Sequence, residues 1–286
     1  MSKLTPSLSA GLYLVSTPIG TASDITLRAL DILANADVLA AEDTRNTRKL
    51  MDIHGVKLNK RPLMPYHDHN GPAQRPRLLT AIKEGKSVAY VSDAGTPLIA
   101  DPGYRLAADA ISEGLPVTSA PGASALLAAL AVAGLPTDRF LFAGFPPVKA
   151  VAKAKFLAEF TAVPATLVFY ESPRRLADCL SAMVAAYGGD RAVAVCRELT
   201  KKFEEVRRGT LTELAAQYAE EPAPKGEVVV VVGPPIATDA SEQDIDAALT
   251  DALKTQSVKD AAKEVSEALG LPRKQLYARA LELNRR

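Results

Sequence analysis

Short apolar runs alternate with amphipathic stretches through the first part of the chain. Gly11 to Ser16, bounded by Gly and Pro, predicts a buried strand. A helix follows, starting at Asp24 or Thr26 and reaching Ala36. The same patterns predict further helices at residues 42–54, 72–84, 104–113 and 125–134, and strands at Val38 to Ala41, Leu63 to Tyr66, Ser87 to Val91 and Pro116 to Ala120. This alternation favours an α/β fold with a mainly parallel sheet and right-handed crossovers.

The pattern changes from Arg139 onward, where the predicted strands are more regularly spaced. They lie at Phe140 to Phe145, Thr166 to Tyr170, Ala192 to Arg197, Glu204 to Arg208 and Glu227 to Val232. Helices are predicted at Ala150 to Phe160, Pro173 to Tyr187 and Leu211 to Ala219. Short polar connections around the last of these helices favour a mixed, partly antiparallel sheet in a second domain. The hinge is expected near Ser119 to Pro121.

The C-terminal region has a different character. Pro234 to Ser241 is typical of a linker, and Gly270 is a candidate helix cap. Three short amphipathic helices are predicted after the linker, at Glu242 to Leu253, Val258 to Leu269 and Pro272 to Leu283. The segment L-G-L-P-R-K-Q-L-Y resembles the turn and second helix of a helix-turn-helix, and a small bundle that packs on a partner chain is the equal alternative. We therefore expect domains at 1–120 and 121–235, and a linker with a helical extension at 236–286.

Composition excludes several classes of protein. The 286 residues are 48% hydrophobic and carry a net charge of +1, so the chain can bury a core and any RNA binding requires a local basic patch. Cys179 and Cys196 have no C-x-x-C spacing and are interpreted as buried apolar residues of a reducing compartment. No signal core and no run of membrane-spanning length occur, so we expect a cytoplasmic protein with no membrane contact.

Polar loops follow three of the predicted parallel strands. They are Thr17 to Gly20, Glu42 to Arg45 and Ser92 to Pro97. Ligands bind at the carboxyl ends of such strands, so the loops should converge on one site. In the third loop Gly95 allows close backbone approach, while Asp101 and Pro102 suit a helix start. The simpler alternatives are an ordinary strand–helix connection there, and a helix N-terminus capped by Thr44 in the second loop, with its basic residues solvated.

Known phosphate-binding glycine motifs are absent from the sequence, which disfavours a P-loop or a dinucleotide fold. His67-Asp68-His69 is the only metal-like cluster, and two histidines without further ligands are weak support, so no metal is expected. Basic residues follow two strands of the second half, in Glu171 to Arg175 and in Arg197 to Lys202. Together with Glu42 to Arg45 they suggest a groove for a polyanion.

Eight motifs occur in an order and spacing similar to those of one known family. They are T-P-I-G, A-A-E-D-T-R, S-D-A-G-T-P-L-I-A-D-P-G, P-G-A-S-A, G-L-P-T-D-R-F, F-Y-E-S-P-R-R, R-E-L-T-K and G-T-L-T-E-L. They resemble the RsmI family of ribosomal RNA methyltransferases, a branch of the tetrapyrrole methylase superfamily. The resemblance covers about Gly11 to Gly233, and the helical tail resembles the family's C-terminal extension. Thr21 departs from the Asn usual after T-P-I-G, which affects a loop hydrogen bond.

The resemblance implies a tetrapyrrole-methylase-like fold of two α/β domains with S-adenosylmethionine in the cleft between them. It also implies transfer of the methyl group to the ribose 2′-oxygen of a cytidine in the decoding region of 16S rRNA, with the 30S subunit as the expected partner and a homodimer as the expected assembly. The cofactor contacts carried over from the family are Pro18, Gly95, Thr96, Pro97, Ser124, Ala125, Phe145, Tyr170 and Gly209.

Candidate groups for the chemistry lie at the converging strand ends. Asp93 is the preferred general base, with Glu42 and Asp43 as alternatives, and Lys201 if it is desolvated. A structural carboxylate is the alternative interpretation of Asp93. The candidates for phosphate contacts are Arg28, Arg45, Arg48, Arg174, Arg175, Lys201 and Lys202.

Two rival functions remain on the same fold. One is methylation of a tetrapyrrole, against which the basic clusters and the helical tail argue. The other is RNA binding without catalysis, against which the retained motifs G-T-P and P-G-A-S-A argue.

Overall fold

The computed structural model describes residues 8–67, 70–99, 103–236, 242–269 and 271–284. The chain divides into two compact units, Met1–Pro235 and Ile236–Arg286. The larger unit contains two five-stranded sheets. The predicted domain boundary near Ser119 to Pro121 falls inside this unit and stays a prediction.

The first sheet is parallel throughout its described strands. In chain order they are β1 (Gly11–Val15), β2 (Val38–Ala41), β3 (Leu63–Pro65), β4 (Ser87–Val91) and β5 (Val117–Ala120), arranged β3-β2-β4-β1-β5. The helices between them are α1 (Leu27–Asn35), α2 (Thr44–Ile53), α3 (Gly71–Lys83) and α4 (Tyr104–Ser112). Every residue of β4 is buried, because apolar clusters pack on both faces of the sheet. The predicted strand–helix alternation is confirmed.

Capping residues explain where two of these helices start. Thr26 precedes α1, and its hydroxyl accepts a hydrogen bond from Ala29 N at 3.1 Å. Asp43, not the predicted Thr44, caps α2: its backbone is extended and its carboxylate accepts from Arg45 N at 2.8 Å. The Thr44 prediction was wrong because Thr44 already has helical geometry. The predicted helix start at Asp101 and Pro102 lies outside the described residues.

The second sheet is mixed, as predicted. Its strands are β6 (Phe140–Gly144), β7 (Thr166–Glu171), β8 (Ala192–Arg197), β9 (Glu205–Thr210) and β10 (Val228–Val232), arranged β6-β7-β10-β8-β9. The associated helices are α5 (Ala125–Ala133), α6 (Ala150–Ala158), α7 (Leu176–Tyr187) and α8 (Leu211–Glu220). Among the described strands of this second sheet, only β6 and β7 pair in parallel. One face packs against α6, α7 and α8, and α5 packs on the other.

The smaller unit is a three-helix cluster. It consists of α9 (Glu242–Leu253), α10 (Val258–Leu269) and α11 (Arg273–Leu283), close to the predicted bounds. Leu249, Val265 and Leu276 form its buried core, and Arg279 bonds Asp246 at 2.6 Å to tie α11 to α9. Gly270 and the end of the predicted linker lie outside the described residues. None of the helices in the described ranges is long and apolar enough to cross a membrane.

Candidate functional site

Two of the polar strand-end loops are joined directly by backbone hydrogen bonds. Thr17 and Gly95 exchange two N–H···O bonds, each 3.0 Å long, in an antiparallel bridge. Thr17 Oγ1 donates to Ser92 O at 3.1 Å, and Ser92 Oγ donates to Gly95 O at 2.7 Å. Gly95 has φ +78°, a conformation that L side chains rarely adopt. The predicted convergence of the loops after β1 and β4 is therefore confirmed.

The loop after β2 joins the same site through carboxylates. Asp93 Oδ1 accepts from Asp43 N at 2.9 Å, and Glu42 Oε2 accepts from Asp93 N at 3.4 Å. Hydrogen bonds from Arg45 hold the pKa of Asp43 well below its usual range, at about 2. Asp43 is therefore a poor proton acceptor near neutral pH, which leaves Asp93 and Glu42 as the better candidates.

A cavity of about 400 Å³ lies where these loops face the second sheet. Six of the nine cofactor contacts implied by the resemblance line it, namely Gly95, Thr96, Ser124, Ala125, Phe145 and Tyr170. Its size falls within the range of about 300–1,000 Å³ typical of pockets for small molecules and cofactors. We name it the large cavity.

The polar groups of the large cavity are few and well placed. Tyr170 Oη accepts from Leu126 N at 3.2 Å, which leaves the phenolic proton available to a ligand. Burial raises the pKa of Tyr170, so this proton is retained. Ser124 stands at the N-cap of α5 but makes no side-chain cap bond. The tyrosine ring packs edge-on against Phe142 and Phe145, with centroids 4.8 and 5.5 Å away.

Three of the implied cofactor contacts do not line the large cavity. Pro18 lines a neighbouring cavity, and Pro97 is buried and does not belong to the lining. Gly209 lies in β9 and pairs with Val193 of the neighbouring strand β8. Val193 is three residues along β8 from Cys196, which lines the large cavity. At a strand rise of about 3.3 Å per residue, this separation is about 10 Å. The structure thus does not bring Gly209 to the site.

Sequence reasoning missed several lining residues. They are Ile19, Ala94, Ile99, Cys196, Leu199 and Gly226. Most of them are apolar residues that meet the other lining residues only in the folded protein, so no local sequence pattern identifies them as part of the site. Gly226 carried a sequence signal, because a glycine two residues before the valine-rich β10 is typical of a turn. Its φ in the structure is +100°.

A second cavity, of about 280 Å³, lies beside the first and is named the small cavity. It is lined by Thr17, Pro18, Asn46, Lys49, Ile53 and Asp93, among others. The loop after β1 forms one wall, and α2 forms another. Asn46 and Lys49 were not among the predicted site residues.

The basic residues divide into paired and exposed groups. Arg175 binds the buried Glu171 through Nε at 2.7 Å, and Lys201 Nζ binds Glu198 at 2.8 Å and Glu227 at 2.7 Å. Burial lowers the pKa of Lys201, but these ion pairs outweigh it and raise the pKa overall, which disfavours Lys201 as a base. Arg45 is paired with Asp43 yet its side chain is 88% exposed. Exposed side chains that remain for phosphate contacts are Arg28, Arg45, Arg48, Arg174 and Lys202.

Thr21 connects the loop after β1 to the loop after β8. Its N–H donates to Thr200 Oγ1 at 3.1 Å, and its hydroxyl donates to the Thr200 carbonyl. A Cβ on Gly20 would lie 2.5 Å from Lys201 Cγ, which shows how closely the two loops approach. The departure at Thr21 therefore still allows a loop hydrogen bond.

Thr21→Val is expected to lower the free energy of unfolding by about 1 kcal/mol, because it removes the hydroxyl bond and keeps the backbone one. Denaturant unfolding measures the change. Thr118→Val in β5 is the matched control, because the Thr118 hydroxyl bonds no residue in the described ranges. Equal stability of the two variants would show that the Thr21 bond does not hold the loops together.

The two thiols add no reactive group to the site. Both cysteines are buried, and burial raises the pKa of Cys179 to about 12 and that of Cys196 to about 11. Of the predicted cluster only His67 is described, because Asp68 and His69 lie outside the described residues. Among the residues that are described, no three His, Cys, Asp or Glu form a metal-binding group.

The chain matches two known family models. Residues 11–215 match the family model of tetrapyrrole (corrin/porphyrin) methylases, and residues 239–284 match the RsmI C-terminal HTH domain. A cobalt precorrin-4 methyltransferase structure aligns with TM-score 0.57 and 21% identity, covering 78% of this chain and 94% of that one. This likeness concerns the fold alone.

Two relatives are more informative because their identity is higher. Ribosomal RNA small subunit methyltransferase I from Mesorhizobium japonicum is 52% identical over 96% of this chain and 93% of its own length. The protein of the same name from Erythrobacter litoralis is 49% identical over 96% of both chains. With the fold, the strand-end site and both family matches in agreement, the chain belongs to the ribosomal RNA small subunit methyltransferase I family of the tetrapyrrole methylase superfamily.

Proposed function

We propose that the protein transfers the methyl group of S-adenosylmethionine to the ribose 2′-hydroxyl of a cytidine in the decoding region of 16S rRNA. The observation that carries this proposal is a pair of adjoining cavities that meet at Asp93 and the Thr17–Gly95 bridge. One cavity has the size of a cofactor site and the other is smaller. Family membership supports methyl transfer to ribosomal RNA, and the tetrapyrrole alternative is not favoured.

The residues of the large cavity fit S-adenosylmethionine. The N-terminus of α5 suits a carboxylate, because the first N–H groups of a helix favour anions, and the Ser124 hydroxyl there makes no cap bond to the helix. Tyr170 offers a further hydrogen-bond donor, while Ile19 and Val229 provide apolar walls for a planar base. When bound, this cofactor supplies an electrophilic methyl group on a sulfonium.

The chain's own groups align the acceptor and remove its proton. The ribose oxygen forms a new C–O bond while the donor C–S bond breaks, and the hydroxyl proton passes to Asp93. Alignment of the reacting groups accounts for most of the rate gain. Asp93 is suited to accept the proton because it lies beside Ala94, which lines the large cavity, and itself lines the small one.

Exposed cations supply the RNA contacts in this proposal. Arg28, Arg48 and Arg174 are exposed, and Lys202 lies 5.5 Å from the exposed ring of Phe203. Arg175 and Lys201 are assigned to structural ion pairs. A 30S subunit as substrate, a homodimer and a cytoplasmic location remain family-based proposals, and light scattering tests the dimer.

Mass spectrometry of 16S rRNA tests the function. The protein is incubated with labelled S-adenosylmethionine and either 30S subunits, bare 16S rRNA or a porphyrin precursor. We expect one labelled ribose on a decoding-region cytidine. A label on a base, or on the porphyrin alone, would contradict the proposal.

Gly95→Ala is expected to weaken cofactor binding about tenfold, which is about 1.4 kcal/mol. The new Cβ would lie 3.2 Å from Ile19 Cγ2 and push this side chain towards the large cavity. Isothermal titration calorimetry with S-adenosylmethionine measures the affinity.

Gly85→Ala is the matched control for this experiment. Gly85 also has a positive φ, +88°, but a Cβ there meets nothing within 4 Å. The backbone strain of about 1–2 kcal/mol should therefore lower stability in both variants, with affinity lost only in Gly95→Ala. Equal affinities would show that Gly95 does not shape the cofactor site.

A further inference from the structure

The small cavity shares a wall with the large one. Ser92 and Asp93 line the small cavity, while the next residues, Ala94 and Gly95, line the large cavity. Thr17, on the small-cavity side, is bonded to Gly95 at 3.0 Å. A group bound at Asp93 in the small cavity therefore lies next to residues that line the large cavity.

The far wall of the small cavity is the exposed side of α2. Leu50 and Ile53 make it apolar, and the Ile53 side chain is 56% exposed at the rim. His54 Nε2 lies 3.0 Å from Ala22 O, which ties the end of α2 to the loop after β1. An exposed isoleucine beside a formed cavity suits an apolar contact with a planar ring.

Uncommitted polar groups lie on the same helix. The Asn46 carboxamide makes no hydrogen bond to any residue in the described part of the chain, and it offers both donors and an acceptor. Thr47 also lines the cavity, and its buried hydroxyl has no partner among the described residues. Lys49 adds a cation at the edge. The wall thus combines apolar surface, an amide and a positive charge.

We propose that the small cavity receives the acceptor nucleoside, extruded from the RNA chain, with its base against Leu50 and Ile53 and its ribose at Asp93. Asn46 hydrogen-bonds the Watson–Crick edge of the base, and Lys49 lies near the flanking phosphate. Unstacked RNA bases are recognised by contact with their faces together with hydrogen bonds to this edge. A volume of about 280 Å³ suits one nucleoside rather than a larger ligand. The proposal rests on the proposed ribose methylation.

Asn46→Ala tests the base contact by steady-state methylation of 30S subunits. We expect KM for RNA to rise, or kcat/KM to fall, about tenfold, which lies within the range of a good bidentate amide–base contact. The affinity for S-adenosylmethionine should stay within twofold by calorimetry. Asn35→Ala, which removes a local bond to Asp31 O within α1, is the matched control and should leave both values unchanged. Unchanged RNA kinetics in Asn46→Ala would overturn the assignment.

Photocrosslinking tests the location independently of any variant. A 16S rRNA carrying 5-iodocytidine at the methylated position is irradiated with the full-length wild-type protein, and the modified peptides are sequenced. Crosslinks within residues 17–22, 46–53 or 92–93, which line the small cavity, support the proposal, while crosslinks confined to the second half or to the C-terminal helices overturn it. If the wild-type protein methylates no ribose, the proposed function fails; if it does and the crosslinks lie elsewhere, only the nucleoside site fails.

Discussion

Asp93→Asn is expected to lower kcat by about 10²–10⁴-fold, the usual contribution of a general base. The asparagine oxygen can still accept the hydrogen bond from Asp43 N, which is 2.9 Å long, so the three loops stay joined. Thermal unfolding and cofactor affinity should therefore match the wild-type protein. Single-turnover methylation of 30S subunits, with saturating S-adenosylmethionine, measures the chemical step.

Variants of the neighbouring carboxylates, Asp43 and Glu42, are the comparison for the loss of kcat in Asp93→Asn. Asp43→Asn and Glu42→Gln are expected to lower kcat less than tenfold, because Asp43 is bound to Arg45 and Glu42 contacts the backbone of Asp93. If Asp93→Asn keeps more than a tenth of the wild-type rate, Asp93 is a structural carboxylate. If kcat falls strongly in Glu42→Gln and not in the other two variants, Glu42 is the general base.

Arg175→Ala is expected to lower the free energy of unfolding by about 3 kcal/mol, the lower part of the range for breaking a buried ion pair. Glu171 is fully buried, and its Oε1 accepts from Arg175 Nε at 2.7 Å and from Ser172 N at 2.6 Å. Removing the guanidinium leaves this buried carboxylate without the Arg175 cation, although the bond from Ser172 N remains. Urea unfolding measures the loss.

Arg174→Ala is the control, one residue away in the same R-R pair. Arg174 is exposed and forms no ion pair within the described residues, so its loss should leave stability unchanged. It should instead raise KM for RNA and reduce the salt dependence of binding. The opposite pattern, with stability kept and RNA affinity lost in Arg175→Ala, would restore Arg175 as a phosphate contact.

Much of the lining of the large cavity follows from local sequence. Gly95 and Thr96 lie in the loop that follows the apolar run ending at Val91, and Ser124 precedes an apolar helix, so strand ends and helix starts mark them before any packing is known. In a parallel sheet such positions lie at one edge, which is why the loops after β1, β2 and β4 were expected to meet. The resemblance added Phe145 and Tyr170, and both line the large cavity.

Other assignments depended on contacts between distant residues. Arg174 and Arg175 are adjacent and identical in type, yet only Arg175 reaches the buried Glu171. Asp43 and Asp93 are both carboxylates after strands, but only Asp43 is committed to capping α2 and to Arg45. Gly209 occurs in a recognisable motif, and strand register nevertheless places it away from the cavity.

Hydrophobic period and turn residues close in the chain were enough to predict the alternation of strands and helices, the mixed second sheet and the strand-end loop Ser92 to Pro97, part of which lines the large cavity. Contacts between distant residues were needed to show which charges are paired, and that Asn46 and Ile53 line the small cavity beside Asp93. Asn46 and Ile53 belong to a helix whose sequence indicates a solvated face. Their role arises because the loop after β1, more than twenty residues earlier, packs against that helix and is held there by the His54 contact with Ala22.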